Sequence, residues 1–158
     1  MKKLLTLDAA VEMARDLRLK NKTLALANGA FDLLHVGHLR YLQGAKQEAD
    51  VLLVAVNSDT SVRALKGPTR PVVPQAERAE LLCALSCVDW VVVFEALDVK
   101  SLIRTLKPDV HVKGRDYLPE TIPERAEVEA YGGRVAVAGD EKNHSTTEVV
   151  SKLWGGGK

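Results

Sequence analysis

The stretch Asn28-Gly29-Ala30-Phe31-Asp32-Leu33-Leu34-His35-Val36-Gly37-His38 constrains this chain more than any other. A short apolar run at 23–27 precedes it and a helical-looking run at 39–48 follows, so it reads as strand, turn and helix start. A helix start presents free backbone N–H groups and a partial positive charge, which suits a phosphate. His35 and His38 stand three residues apart, on one face of a first helical turn. Gly37 between them lets a bulky ligand approach the backbone. Two imidazoles and free amides at one point can stabilise charge on a phosphate, which points to nucleotidyl transfer. Two plainer readings compete. A pair of metal ligands needs a third ligand that the sequence does not offer, and a simple cap needs only one histidine.

The rest of the chain alternates apolar runs with helical periodicity. Further strands are expected at 50–57, 89–94, 109–112 and 134–138. The first of these reads Val-Leu-Leu-Val-Ala-Val with no polar alternation, as a strand covered on both faces does. Helices are expected at 7–19, 39–47, 74–85, 98–106 and 123–131, with a short linker or helical turn at 62–66. A last helix opens at Ser145-Thr146-Thr147-Glu148. The predicted fold is α/β: a doubly wound, mostly parallel, five-stranded Rossmann-like sheet in a single domain. Residues 1–22 form a leader helix packed on the sheet edge or on a neighbouring subunit. Residues 23–154 form the working domain and 155–158 a loose tail.

Composition narrows the partners. A chain of 158 residues, 46% apolar and 27% charged, suits one globular domain. A net charge of +1 gives no basic face for a polynucleotide, though a local pocket for a small phosphate stays open. No apolar run reaches the ~20 residues of a membrane span, and Met1-Lys2-Lys3 leads into too few apolar residues for a signal peptide. A cytoplasmic location is expected. Cys83 and Cys87 read as buried structural thiols.

In a doubly wound sheet, ligands bind beyond the carboxyl ends of the strands. The polar clusters at 28–38, 57–59, 113–117 and 145–147 all fall there. His35 and His38 are the candidate catalytic donors. Lys66, beside a Gly/Pro loop that also carries Arg70, is a candidate to close over the triphosphate or the acceptor; its plain alternative is a solvated lysine. Nucleotide contacts are assigned to Asn28, Gly29, Ala30, Phe31 and Gly37 with the two histidines, then to Lys113, Gly114 and Asp116, and to Ser145, Thr146 and Thr147. Acceptor contacts are assigned to Asp32, Asn57, Asp59, Lys66 and Arg78. Asp32 reads equally as a turn residue and Arg78 as a helix-surface residue. Mg²⁺ bridging the phosphates is expected, held by substrate and water with no protein ligand. His111 and His144 carry no motif and read as structural.

The motif at 28–38 resembles the signature of the His-x-Gly-His nucleotidyltransferase superfamily. Class I aminoacyl-tRNA synthetases carry a similar tetrapeptide in much longer chains. Within the superfamily the chain resembles the adenylyltransferases of D-glycero-D-manno-heptose 1-phosphate, in their stand-alone form. The resemblance rests on Ala-Val-Asn-Ser-Asp at 55–59, Leu-Lys-Gly-Pro-Thr-Arg-Pro-Val at 65–72, Val-Asp-Trp-Val-Val at 88–92, Lys-Pro-Asp at 107–109, Val-Lys-Gly-Arg-Asp-Tyr at 112–117 and His-Ser-Thr-Thr at 144–147. It implies ATP and a heptose 1-phosphate as substrates, ADP-heptose and pyrophosphate as products, and a place in lipopolysaccharide or capsule assembly. It also implies a homodimer or higher homo-oligomer. The chain departs from that pattern at Ala30 and at 140–144, Asp-Glu-Lys-Asn-His. Two alternatives remain. A cytidylyltransferase for glycerol 3-phosphate usually carries Arg-Thr-x-Gly-Ile ahead of Ser-Thr-Thr, which is missing here. A non-catalytic nucleotide-binding regulatory domain is opposed by the intact His35 and His38.

Overall fold

A computed structural model describes residues 2–140 and 151–152. Among these, the strands are β1 (Leu4–Leu5), β2 (Leu24–Gly29), β3 (Val51–Asn57), β4 (Trp90–Phe94), β5 (Val110–Gly114) and β6 (Arg134–Ala138). They form one sheet of order β1-β4-β3-β2-β5-β6, every pair parallel. The predicted strands are all present. The sixth is β1, a two-residue edge strand paired with Val91 and Val92, too short to leave a periodic signal in sequence.

The helices are α1 (Leu7–Leu19), α2 (Val36–Lys46), α3 (Asp59–Lys66), α4 (Gln75–Ala84), α5 (Lys100–Leu106) and α6 (Arg125–Glu129), with a 3₁₀ turn at Pro119–Thr121. Strand side chains alternate between two cores. Ala25 and Ala27 of β2, Leu52 and Val54 of β3 and Val112 of β5 meet Leu42 and Ala45 of α2 and Ala79 and Leu82 of α4. Leu24, Leu26, Leu53 and Ala55 face the other way, onto Ala10, Ala14 and Leu17 of α1, Ile103 and Leu106 of α5 and Val128 of α6. The sheet is therefore doubly wound, as the unalternating apolar strands required. α1 covers a sheet face; the expectation that it would pack on the edge is corrected, because β1 takes the edge and α1 folds back from it.

Two local corrections bear on the site. The short linker or helical turn expected at 62–66 is the end of a longer helix, α3, whose start is capped by the Ser58 hydroxyl accepting from the Ser61 N–H at 3.1 Å. The helix expected from residue 39 begins at Val36, so both histidines belong to its start. Chain order runs β2, β3, β4 outward, then crosses back to place β5 on the other flank of β2. The crossover puts the topological switch at the carboxyl ends of β2 and β5.

Candidate active site

β2 ends in Asn28 and Gly29, and the chain turns sharply through Phe31, whose φ is +49°. A bulky side chain in that left-handed region costs about 1–3 kcal/mol, and such strain persists where packing over-determines it. Here the Phe31 ring is buried, and a Cβ placed on Gly29 would lie 3.2 Å from it. Gly29 is thus required by a close approach. The Phe31 ring also meets His38, centroids 5.4 Å apart at 60°.

His35 caps α2. Its φ of −140° is extended, and its Nδ1 accepts from the Gly37 N–H at 3.1 Å. An Nδ1 that accepts leaves the ring proton on Nε2, so His35 is held in one neutral tautomer. The His35 and His38 rings lie 3.9 Å apart, tilted by 30°. Burial, then the neighbouring His35, then Lys66 push the His38 pKa down to about 4. His38 Nδ1 is buried and has no hydrogen-bond partner among the described residues. The two rings are thus paired at a helix N-terminus beyond β2, as their spacing predicted.

Lys66 closes α3 and belongs to this group by charge: it depresses His38, and burial followed by Arg70 lowers its own pKa. The loop after it is tied to the signature by Asp32. One Asp32 oxygen accepts from the Val72 and Val73 N–H groups at 2.7 and 3.0 Å, and the other lies 2.8 Å from Arg70 Nη1. Asp32 is 2% exposed and anchors the loop to the signature turn. Arg78 is 0% exposed, so the helix-surface reading is corrected. Its guanidinium donates to the carbonyls of Val73 (2.9 Å) and Ala30 and to Asp59 Oδ1 (2.8 Å). Asp59 Oδ1 also accepts from the Gln75 N–H at 2.8 Å. Asn57 is buried and donates to Ser61 Oγ at 3.2 Å. These side chains hold α3, α4 and the signature turn as one rigid rim; a planar five-donor group suits such a junction.

Across the switch point, Lys113 and Gly114 end β5; they are strand residues, not part of the loop beyond it. Lys113 Nζ donates to Asn28 Oδ1 at 3.4 Å, lies 3.8 Å from Glu124 Oε1 and stands 5.0 Å over the Tyr117 ring. A Cβ on Gly114 would meet Asp116 Oδ1 at 2.8 Å. Tyr41 of α2 donates to the Val112 carbonyl at 2.6 Å and fastens the signature helix to β5; burial pushes its phenol pKa up. Ser145, Thr146, Thr147 and His144 lie outside the described residues. Cys83 and Cys87 are free and half-buried, not fully buried as expected. Sequence reasoning missed Glu124 and Tyr41. Neither sits in a motif, and only the packing of α6 on β6 and of α2 on β5 brings them here. Among the described residues no three His, Cys, Asp or Glu side chains converge on a metal position, and no helix is long and apolar enough to cross a membrane.

Comparison with known proteins gives one direction. The sequence matches the cytidylyltransferase-like family over residues 26–152. It is 49% identical over 136 residues to the bifunctional protein HldE of Syntrophotalea carbinolica, a match covering 86% of this chain and 28% of that protein. It is 47% identical over 151 residues to the bifunctional protein HldE of Geotalea uraniireducens, covering 96% and 31%. The chain thus spans less than a third of the length of these relatives. Among solved structures, the lipopolysaccharide core biosynthesis protein of Thermoplasma volcanium is similar with a TM-score of 0.60 and 28% identity, over 73% of this chain and 93% of that one. The pantoate–β-alanine ligase of Francisella tularensis shares the fold, with a TM-score of 0.63 at 16% identity over 97% of this chain and 78% of that one.

Proposed function

The chain belongs to the cytidylyltransferase-like family, and we propose that it transfers the adenylyl group of ATP to a sugar 1-phosphate, D-glycero-D-manno-heptose 1-phosphate. An oxygen of the acceptor phosphate attacks the α-phosphorus, and the bond to the β-phosphate oxygen breaks, releasing pyrophosphate. The observation that carries this reading is the paired His35 and His38 rings, 3.9 Å apart at the start of α2 beyond the switch point. The identity to the HldE proteins supports the adenylyl donor and heptose acceptor, as does the resemblance along residues 55–72 and 112–117.

The reaction asks the protein for alignment and charge stabilisation more than for covalent chemistry. His35 offers its Nε2–H to phosphate oxygens, because Gly37 occupies Nδ1. His38 is neutral at pH 7 and acts as a hydrogen-bonding group whose donors need no reorganisation as charge develops. Asn28 and Lys113 receive the nucleotide from the β5 side, with Gly29, Ala30, Phe31, Gly37, Gly114 and Asp116 shaping the approach. Lys66 faces the triphosphate or acceptor from the opposite rim, where Asn57 and Asp59 also stand. Ser145, Thr146 and Thr147 complete the proposal from the sequence alone. A divalent cation such as Mg²⁺ would enter with the ATP phosphates and would offset their charge. The nucleotide chemistry supports a cytoplasmic setting, and the resemblance supports a homodimer.

Pyrophosphate release, measured with ATP or CTP against heptose 1-phosphate and glycerol 3-phosphate, tests the reading. ATP with the heptose is expected to be the productive pair. Activity only with CTP and glycerol 3-phosphate overturns the assignment in favour of the cytidylyl alternative. His35→Ala is expected to keep nucleotide binding and lose about 10²–10³ in kcat. Unchanged turnover in that variant would refute the mechanism.

A further inference from the structure

Beside Lys113, on the β5 side of the site, stand two buried groups that the proposed chemistry does not use, Glu124 and His111. Glu124 stands at the start of α6 and is 6% exposed. Its two oxygens face different bases. Oε1 lies 3.8 Å from Lys113 Nζ and Oε2 lies 3.6 Å from His111 Nε2. His111 is fully enclosed, and the Lys113 side chain is 13% exposed. Lys113 in turn donates to Asn28 Oδ1 of the signature at 3.4 Å. A line of contacts therefore runs His111–Glu124–Lys113–Asn28, from the sheet interior to the signature turn.

A carboxylate is costly to bury, and it stays ionised there only if the protein pairs it. Burial pushes the Glu124 pKa up, but His111 and Lys113 outweigh it and hold the carboxyl below its ordinary range. The group beside Lys113 is thus a fixed negative charge. A lysine on a four-carbon stem has many rotamers, and confining it before a ligand arrives removes that entropy cost from binding. An ammonium has three N–H donors. Asn28 takes one, Glu124 faces a second, and the Tyr117 ring lies 5.0 Å from the same nitrogen, so the ammonium is held on three sides at the end of β5.

We propose that Glu124 is a positioning residue for nucleotide binding: it holds the Lys113 ammonium at the end of β5 beside Asn28, with His111 backing its second oxygen. The inference rests on the reading of Lys113 as a nucleotide contact. It assigns Glu124 no contact with substrate, so its whole effect passes through Lys113.

A double-mutant cycle on the intact chain tests this, with ATP affinity by titration calorimetry, kcat by pyrophosphate release and folding by thermal melting. Glu124→Gln keeps the side-chain shape and removes the charge. It is expected to weaken ATP binding about tenfold, with a smaller change in kcat. Lys113→Met is expected to weaken ATP binding at least as much, and the double variant no more than Lys113→Met alone. Glu124→Asp is expected to recover part of the loss, and it carries the cycle if the glutamine variant melts early. ATP affinity unchanged in Glu124→Gln, or effects that multiply in the double variant, overturn the proposal and leave the Lys113 contact standing. ATP affinity unchanged in Lys113→Met removes that contact, and this inference with it.

Discussion

His38 packs against the Phe31 and His35 rings, and burial, then His35, then the Lys66 charge disfavour its protonation. Its folded pKa of about 4 lies well below the 6.5 of an unperturbed imidazole. Between these two values the unfolded chain binds a proton that the folded chain does not, so stability rises with pH across that window and falls as pH drops through it. The urea midpoint is therefore expected to fall from pH 6.5 towards 4, and His38→Gln is expected to flatten that decline relative to wild type. Parallel pH profiles in the two proteins would show that His38 is not held neutral. The same scale separates two charged residues that look alike in sequence from what they do. Asp32 and Arg78 flank the histidines in the fold, yet both spend their polar atoms on backbone and on Arg70 or Asp59. They hold the rim of the site together.

α2 is the element that transmits the sheet's geometry to the histidines. Its start is fixed by the His35 cap, and it packs closely on the end of β6 at Gly44. Gly44 lies in the middle of this helix, where glycine disfavours helix by about 1 kcal/mol relative to alanine. A Cβ there would meet the Ala138 Cβ at 2.9 Å and the Gly139 N at 3.4 Å. The glycine lets α2 approach β6, and Tyr41 then reaches the Val112 carbonyl from the same helix. Gly44→Ala, stabilising on propensity alone, is expected instead to cost about 1–3 kcal/mol through overpacking. Chemical denaturation checks the sign, and a stabilised variant would show that α2 has room to move.

At the scale of the whole molecule, both helical layers share one sheet. Alternate residues of β2 and β3 feed opposite cores, so neither core can be lost without stripping one face of the same strands. A single cooperative transition follows. Far-UV circular dichroism and tryptophan fluorescence are expected to report the same urea midpoint, and two separated midpoints would mean that α1 or the β5–β6 flank unfolds alone. The same arrangement gathers the site: β2 and β5 are adjacent in space and distant in sequence, and their carboxyl ends bring Asn28 to Lys113.

Much of this was legible in the linear sequence because it depends on local chemistry. Unalternating apolar strands demand burial on both faces, and a His-x-x-His pair at a helix start places two rings on one side. Those facts gave the α/β class, the doubly wound sheet and the histidine pair before any coordinate was known. Contacts between segments far apart in sequence were not legible. The two-residue β1, the covering of a sheet face by α1, the commitment of Asp32 and Arg78 to the rim, and the seating of Glu124 between His111 and Lys113 all arise there. A residue type and its spacing specify which partners a side chain can take; only the packed fold decides which partner is within reach and whether water is left to compete for it.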